Sequence, residues 1–250
     1  MKKNYHLCLS AGNEVIFRDL EDYNRGFNCF ALALYKTGST GLVESFMSTH
    51  THQLVQTVNP NDFMYHFRLP YSMYFNQKYH RHGRVGENSH FTMEVVGYHH
   101  TMAAASYVLR NALHHGVVPI PYAYPHCSVN SIFRKEMGKF QTEPTLPTKS
   151  VYRHIGTRAE CPSNFVMSES GVFLRESVLD KMVIFENGKA DYRSITDIEL
   201  CTELDAVARN RFNRHSVYQL TESEKNIIAN ELYYERHLSK AQIQRCLVIL

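Results

Sequence analysis

The chain has 250 residues, of which 44% are hydrophobic and 20% charged. These proportions belong to a protein with a folded core and exclude a disordered or fibrous chain. A net charge of +3 permits nucleic-acid binding without demanding it, and the length suits one sizeable domain or a core with an appendage.

Tyr5 to Ser10 reads as a first strand, closed by the turn-like Ala11-Gly12-Asn13. Asp19 to Lys36 has apolar residues at Phe27, Phe30, Ala31 and Leu34, a helical spacing, with Gly38 as a stop. Leu42 to Met47 and Thr51 to Val58 read as two further strands. The stretch joining them, Phe46-Met47-Ser48-Thr49-His50-Thr51-His52-Gln53-Leu54-Val55, alternates apolar and polar residues. It sets two imidazoles two positions apart, so on a strand His50 and His52 project from one face within reach of one divalent ion.

Asn59-Pro60-Asn61-Asp62 is a helix start, and the aromatic-rich stretch after it is expected to be helical, with Pro70 kinking or interrupting it. Asn76 to Gly86 reads as a loop mixing bases, aromatics and glycines. It is either a solvated surface loop or a nucleic-acid contact in which Lys78, Arg81 and Arg84 meet phosphates. Phe91 to Val96 alternates as a strand. His99 to His115 reads as one helix ended by Gly116, and on it Tyr107 and Asn111 lie one turn apart on a shared face. His99-His100 and His114-His115 read as surface pairs, since adjacent helical residues point about 100° apart and chelate one ion poorly.

Val117 to Pro125 is extended and proline-broken, a short helix is expected over Ser128 to Phe133, and the core is expected to close near Arg134. Gly138 to Pro162 reads as a connector, and Phe173 to Phe185 as a helix and short strand. Asp197 to Arg211 is helix-like. A capping box at Thr221 to Glu224 opens another helix, and a last one follows Ser239. This end reads either as a helix-turn-helix or as a helical hairpin packed on the core. In the first case Lys240, Gln242, Gln244 and Arg245 would reach bases or phosphates. The six cysteines contain no C-x-x-C pair, which argues against a zinc knuckle or disulfide framework. No apolar run approaches membrane-spanning length and the start lacks a signal-peptide core, so a cytoplasmic protein without a membrane partner is expected.

A His-x-His alone arises easily in a chain with fifteen histidines, and a tyrosine on an apolar helix is usually a packing residue. The order of motifs is more specific. Met47 to Val55, Tyr74-Phe75-Asn76, Gly83-Arg84-Val85, Ser106-Tyr107-Val108-Leu109-Arg110-Asn111-Ala112-Leu113-His114-His115-Gly116 and Tyr124-Pro125 together resemble the single-tyrosine HUH transposases, and among them the REP-associated tyrosine transposases. Thr49, Thr51 and Ala112 depart from the family's usual asparagine, bulky apolar residue and proline, yet none of the three removes a group the chemistry needs.

The resemblance implies an α+β fold, a ferredoxin-like antiparallel sheet with helices on one face, plus a mainly helical C-terminal extension. Its division would be a nuclease domain over 1–135, a connector and accessory segment over 136–215, and the helix-turn-helix-like segment over 216–250. It further implies Tyr107 as nucleophile, His50, His52 and Asn111 as ligands of Mg2+ or Mn2+, and Arg110 among the DNA contacts. The partner would be single-stranded or hairpin DNA, cleaved and rejoined through a covalent 5′-phosphotyrosine; monomer and homodimer both remain open. The alternative is a catalytically silent, domesticated DNA-binding relative. An RNA-binding sheet ranks last, because the strands lack its aromatic signature.

Overall fold

The computed structural model describes residues 1–86, 89–129 and 195–249. The Gly138 to Pro162 connector, the elements expected over Phe173 to Phe185, the close near Arg134 and all but the first two residues of the expected Ser128 helix lie outside them.

The first half of the chain alternates as β1 (Lys3–Ser10), α1 (Leu20–Thr37), β2 (Thr40–Phe46), β3 (His50–Thr57), α2 (Pro60–Tyr79) and β4 (Phe91–Val95). All pairings are antiparallel and the sheet order is β2-β3-β1-β4, the split arrangement of a ferredoxin-like fold. This is the expected α+β class with an antiparallel sheet. Each helix end carries a local reason. Asp19 accepts from the Asp22 amide to start α1, and Gly38 takes the left-handed conformation that ends it. Asn59 caps α2 in the same way.

Strand alternation divides the side chains between two layers. Leu7, Leu9, Phe46 and Val55 face α1 and α2, where they join Phe17, Phe27, Phe30, Phe63 and Phe67 in the larger core. Gly26 lets α1 close on that layer, since a Cβ there would meet the Phe17 ring at 2.4 Å. Val43, Leu54 and Val95 face the other way and meet α3 (Gly97–Leu109) through Ala104, Ala105, Val108 and Leu109. The two helices of the β-α-β repeats thus cover one face, and a third lies across the opposite one.

Three expectations about local structure are corrected. Pro70 does not interrupt α2, which is continuous to Tyr79. Phe63, Phe67, Tyr71, Phe75 and Tyr79 recur every four residues and are all buried; at about 1.5–3 kcal/mol for each such side chain, their burial outweighs the ~3 kcal/mol cost of an internal proline. For the same reason the expected loop from Asn76 begins only after the left-handed His80, and Lys78 is helical. The tyrosine helix, expected as one piece to His115, breaks at Arg110 (φ −96°, ψ 3°), a turn-like conformation after which α4 (Asn111–His114) begins.

The C-terminal helices α5 (Asp197–Phe212), α6 (Glu222–Tyr234) and α7 (Lys240–Leu247) share one apolar cluster, which also takes in Val15 of the first half. Both capping boxes, Thr196 with Glu199 and Thr221 with Glu224, are formed, and Ser239 caps α7. Arg18 is the joint. The residue is 1% exposed, and its guanidinium donates to Asp205 of α5 at 3.1 and 3.3 Å and to the Cys246 carbonyl of α7 at 3.0 Å. Asp205→Ala would leave that charge buried without its counter-ion, and urea denaturation is expected to show a loss of about 3–5 kcal/mol.

Candidate active site

The site forms on the α3 face of the sheet because of the parity of β3. Thr51 is fully buried toward α1 and α2, beside Phe46 and Leu9 in register, and its hydroxyl accepts from Gln53. His50 and His52 therefore point to the other face, with ring centroids 5.1 Å apart. A β-branched threonine suits that packed strand position.

α3 and α4 lay the other two residues over the histidines. Tyr107 sets its ring edge-on to His52 with centroids 5.2 Å apart and remains 37% exposed. Asn111, fully buried at the start of α4, brings Oδ1 to 3.0 Å from His50 Nε2. The Thr49 hydroxyl lies 3.0 Å from the other nitrogen of His50. All four residues singled out by motif order thus meet in one place.

Burial governs the electrostatics. It pushes His50 down to about 4, helped by His115 and opposed by the bond to Asn111. It pushes His52 down to about 3, with His50, His6 and His115 adding to the fall. Both rings are therefore neutral at pH 7, the state in which an imidazole nitrogen offers its lone pair to a metal. Tyr107 is raised, first by burial and then by Cys8, while the Asn111 amide draws it back. That amide influences the phenol without a hydrogen bond of full geometry, since Asn111 Nδ2 is buried and lacks a partner.

The donor set suits a catalytic divalent ion: two neutral imidazoles and an amide oxygen, beside an open recess of about 510 Å3. Among the described residues no three His, Cys, Asp or Glu side chains form a metal-binding group; Asn111 Oδ1 is the amide oxygen beside His50 Nε2.

Sequence reading missed three neighbours. His6 of β1 places Nε2 3.0 Å from His52 Nδ1 and packs against Tyr107. Thr49 supports His50 as described. His115, expected as a surface residue, is exposed but sets its ring 5.0 Å from that of His50. His6 and Cys8 alternate on β1 as His50 and His52 do on β3, a detectable signal, but only the pairing of the two strands says that they meet.

The expected nucleic-acid contacts are scattered. Lys78 lies on the α1/α2 side of the sheet, away from the histidines, within 2.7–3.0 Å of Asp19, Glu21 and Asp22. Arg81 pairs with Glu14 and covers the Tyr218 ring. Arg245 forks onto Asp197 at 2.7 and 2.8 Å, and Gln242 donates to Asp197 and to the Ile195 carbonyl. Those four side chains are engaged within the protein; for Gln242 and Arg245 this matches the hairpin packed on the core, one of the two readings of that end. Arg110 folds back onto the Ser106 carbonyl, and Arg84 lines a recess on α2 with Arg68 and His90. Lys240 and Gln244 stand on the exposed side of α7.

A group lowered by burial binds fewer protons folded than unfolded, so its neutrality costs stability once the unfolded chain begins to protonate. His6, also lowered by burial, adds to His50 and His52. The fold is expected to lose stability as the pH falls from about 6.5 toward about 4, and urea midpoints measured across that window check it. Replacing both His50 and His52 by glutamine should flatten the dependence.

No family model matches this chain, and no curated protein matches it in sequence. A solved structure of a REP-associated tyrosine transposase bound to a REP hairpin is similar to it over 60% of this chain and 91% of the other, with 10% identity and a TM-score of 0.45. Among the described residues no helix is long and apolar enough to cross a membrane.

Proposed function

We propose that this protein is a cytoplasmic, metal-dependent DNA endonuclease and strand transferase that uses Tyr107 as its nucleophile. The observation that carries the reading is the meeting of Tyr107, His50, His52 and Asn111 on one sheet face, from segments far apart in the chain. DNA as the substrate, and a preference for single strands or hairpins, rest on the motif resemblance.

Magnesium or manganese would be held by His50, His52 and Asn111. Such an ion supplies a Lewis acid that withdraws charge from the scissile phosphate. The chain's own groups do the rest. Tyr107 is exposed enough to meet a phosphodiester and stands above the histidines, so its oxygen forms the new bond to phosphorus while the bond to the 3′ oxygen breaks. The phenol proton is lost and the departing 3′ oxygen gains one, leaving a 5′-phosphotyrosine and a free 3′ hydroxyl. An incoming 3′ hydroxyl reverses the step and joins strands. One phosphodiester is traded for another, so no nucleotide triphosphate is needed. Asn111 lies beneath the phenol and draws its raised pKa back toward the ordinary range. Burial of the sheet face keeps both imidazoles uncharged.

Incubation with Mn2+ and a labelled single-stranded hairpin should give a covalent protein–DNA adduct resistant to denaturant. Tyr107→Phe should abolish the adduct and leave binding unchanged, while His50→Ala and His52→Ala should slow its formation roughly 100-fold or more. Because Tyr107 is raised, the rate should climb with pH above neutrality. Tight hairpin binding without an adduct under any divalent metal would replace this reading with that of a silent DNA-binding relative.

A further inference from the structure

We propose that His6 is a positioning residue for the metal site: it holds Nδ1 of His52 from behind, so that His52 presents Nε2 to the ion. The proposal rests on the metal-site part of the function above and adds a residue that neither the motif order nor the resemblance assigns.

The geometry is specific. His6 Nε2 and His52 Nδ1 are 3.0 Å apart, and both residues are buried, 6% and 8% exposed. β1 lies between β3 and β4, with His6 opposite Leu54 on one side and Met93 on the other, so its backbone is tied along both edges. Its ring is further fixed by edge contacts with Phe91 at 5.7 Å and Tyr107 at 5.9 Å. A histidine held this firmly is a fixed post for the ring it touches.

A second observation points the same way. Thr49 Oγ1 lies 3.0 Å from Nδ1 of His50, and Nε2 of that ring already faces Asn111 Oδ1. Both candidate ligands thus have Nδ1 engaged from outside the site. At His50, Nε2–H donates to Asn111 Oδ1, and an ion bound at that nitrogen would move the proton to Nδ1, where Thr49 Oγ1 accepts it, so Nε2 is the nitrogen that faces the site on each ring. The two supports come from different elements, the turn before β3 for His50 and the neighbouring strand for His52. An imidazole turns readily between two orientations about its last torsion, and a fixed partner on one nitrogen is what selects one of them. With Nε2 of His52 given to a metal, the ring proton resides on Nδ1, and His52 donates to the unprotonated Nε2 of His6. His6 is then the acceptor, with its own proton on Nδ1.

The role also separates His6 from a third histidine ligand. A ligand would turn Nε2 into the space shared by His50 and Asn111, whereas this nitrogen is spent on His52. Its removal should therefore weaken metal binding without changing which atoms bind.

The test uses the full chain at pH 7.5, reading Mn2+ affinity by calorimetry and the visible absorption of the Co2+-loaded protein. His6→Phe keeps a ring against Phe91 and Tyr107 but removes the acceptor; it should weaken Mn2+ binding about 10–100-fold with the Co2+ band shape unchanged. His6→Gln, whose amide oxygen can accept from Nδ1, should restore affinity to within a few-fold of wild type. In the unmutated protein loaded with Mg2+, nitrogen NMR should find the His52 proton on Nδ1, with a coupling across the hydrogen bond to His6. Unchanged affinity in His6→Phe, an altered Co2+ band in that variant, equal losses in both variants, or a His52 proton on Nε2 would each overturn the proposal. A wild type that binds no divalent metal overturns it together with the metal-dependent reading. A wild type that binds Mn2+ yet forms no DNA adduct sinks the nuclease alone and leaves the His6 comparison fully readable.

Discussion

The pairing of β1 with β3 in the middle of the sheet is the constraint on which the site depends. It is antiparallel and in continuous register from Lys3 opposite Thr57 to Ser10 opposite His50, so the face on which each side chain stands is settled along both strands at once. A slip of one residue would bury the imidazoles among the phenylalanines of the larger core and turn Thr51 and Val55 to the α3 face. That register is anchored by apolar burial: Leu7, Leu9, Phe46 and Val55 belong to the core beneath α1 and α2. The chemistry on one face is thus held in place by hydrophobic packing on the other.

The same burial sets the charge state of the site. Four histidines, His6, His50, His52 and His115, form a chain of ring contacts, and burial disfavours a proton on His6, His50 and His52. His6, His50 and His52 stay neutral at pH 7 and act through lone pairs and hydrogen bonds. Asn111 completes the cluster without adding charge, since its amide oxygen accepts from His50 Nε2–H and its amide lowers the raised pKa of Tyr107. Its unpartnered Nδ2 is a buried polar group of the kind a functional site retains.

The C-terminal helices join the core through polar contacts as well as through the apolar cluster that takes in Val15. Asp197 takes the fork of Arg245 and a hydrogen bond from Ser48, two residues before His50. Arg18 ties α5 and α7 to the segment that leads from β1 into α1. Arg18 and Ser48, with Arg81 over the Tyr218 ring, hold this unit against the core, whereas Arg245 ties α7 to α5 and Lys78 ties α2 to the start of α1. A cation in a sequence shows its charge but not its counter-ion, and this is why the carboxylates that Lys78, Arg81 and Arg245 meet were not legible there.

Much was determined by the sequence alone. Strand alternation, the capping residues and the four-residue aromatic spacing of α2 are local patterns, and they place most elements to within a few residues. Periodicity says only that His50 and His52 share a strand face and Tyr107 and Asn111 a helix face; it is the motif resemblance that singles out the four together. What the tertiary structure decided depends on contacts between distant segments: that α2 runs through Pro70, that the tyrosine helix breaks at Arg110, and that Thr51 turns inward. It also decided that His6, forty-six positions before His52, is its hydrogen-bond partner. Local periodicity reports which way a side chain points along its own element, whereas the neighbour it meets is chosen by strand pairing and by the burial that makes one packing more favourable than another.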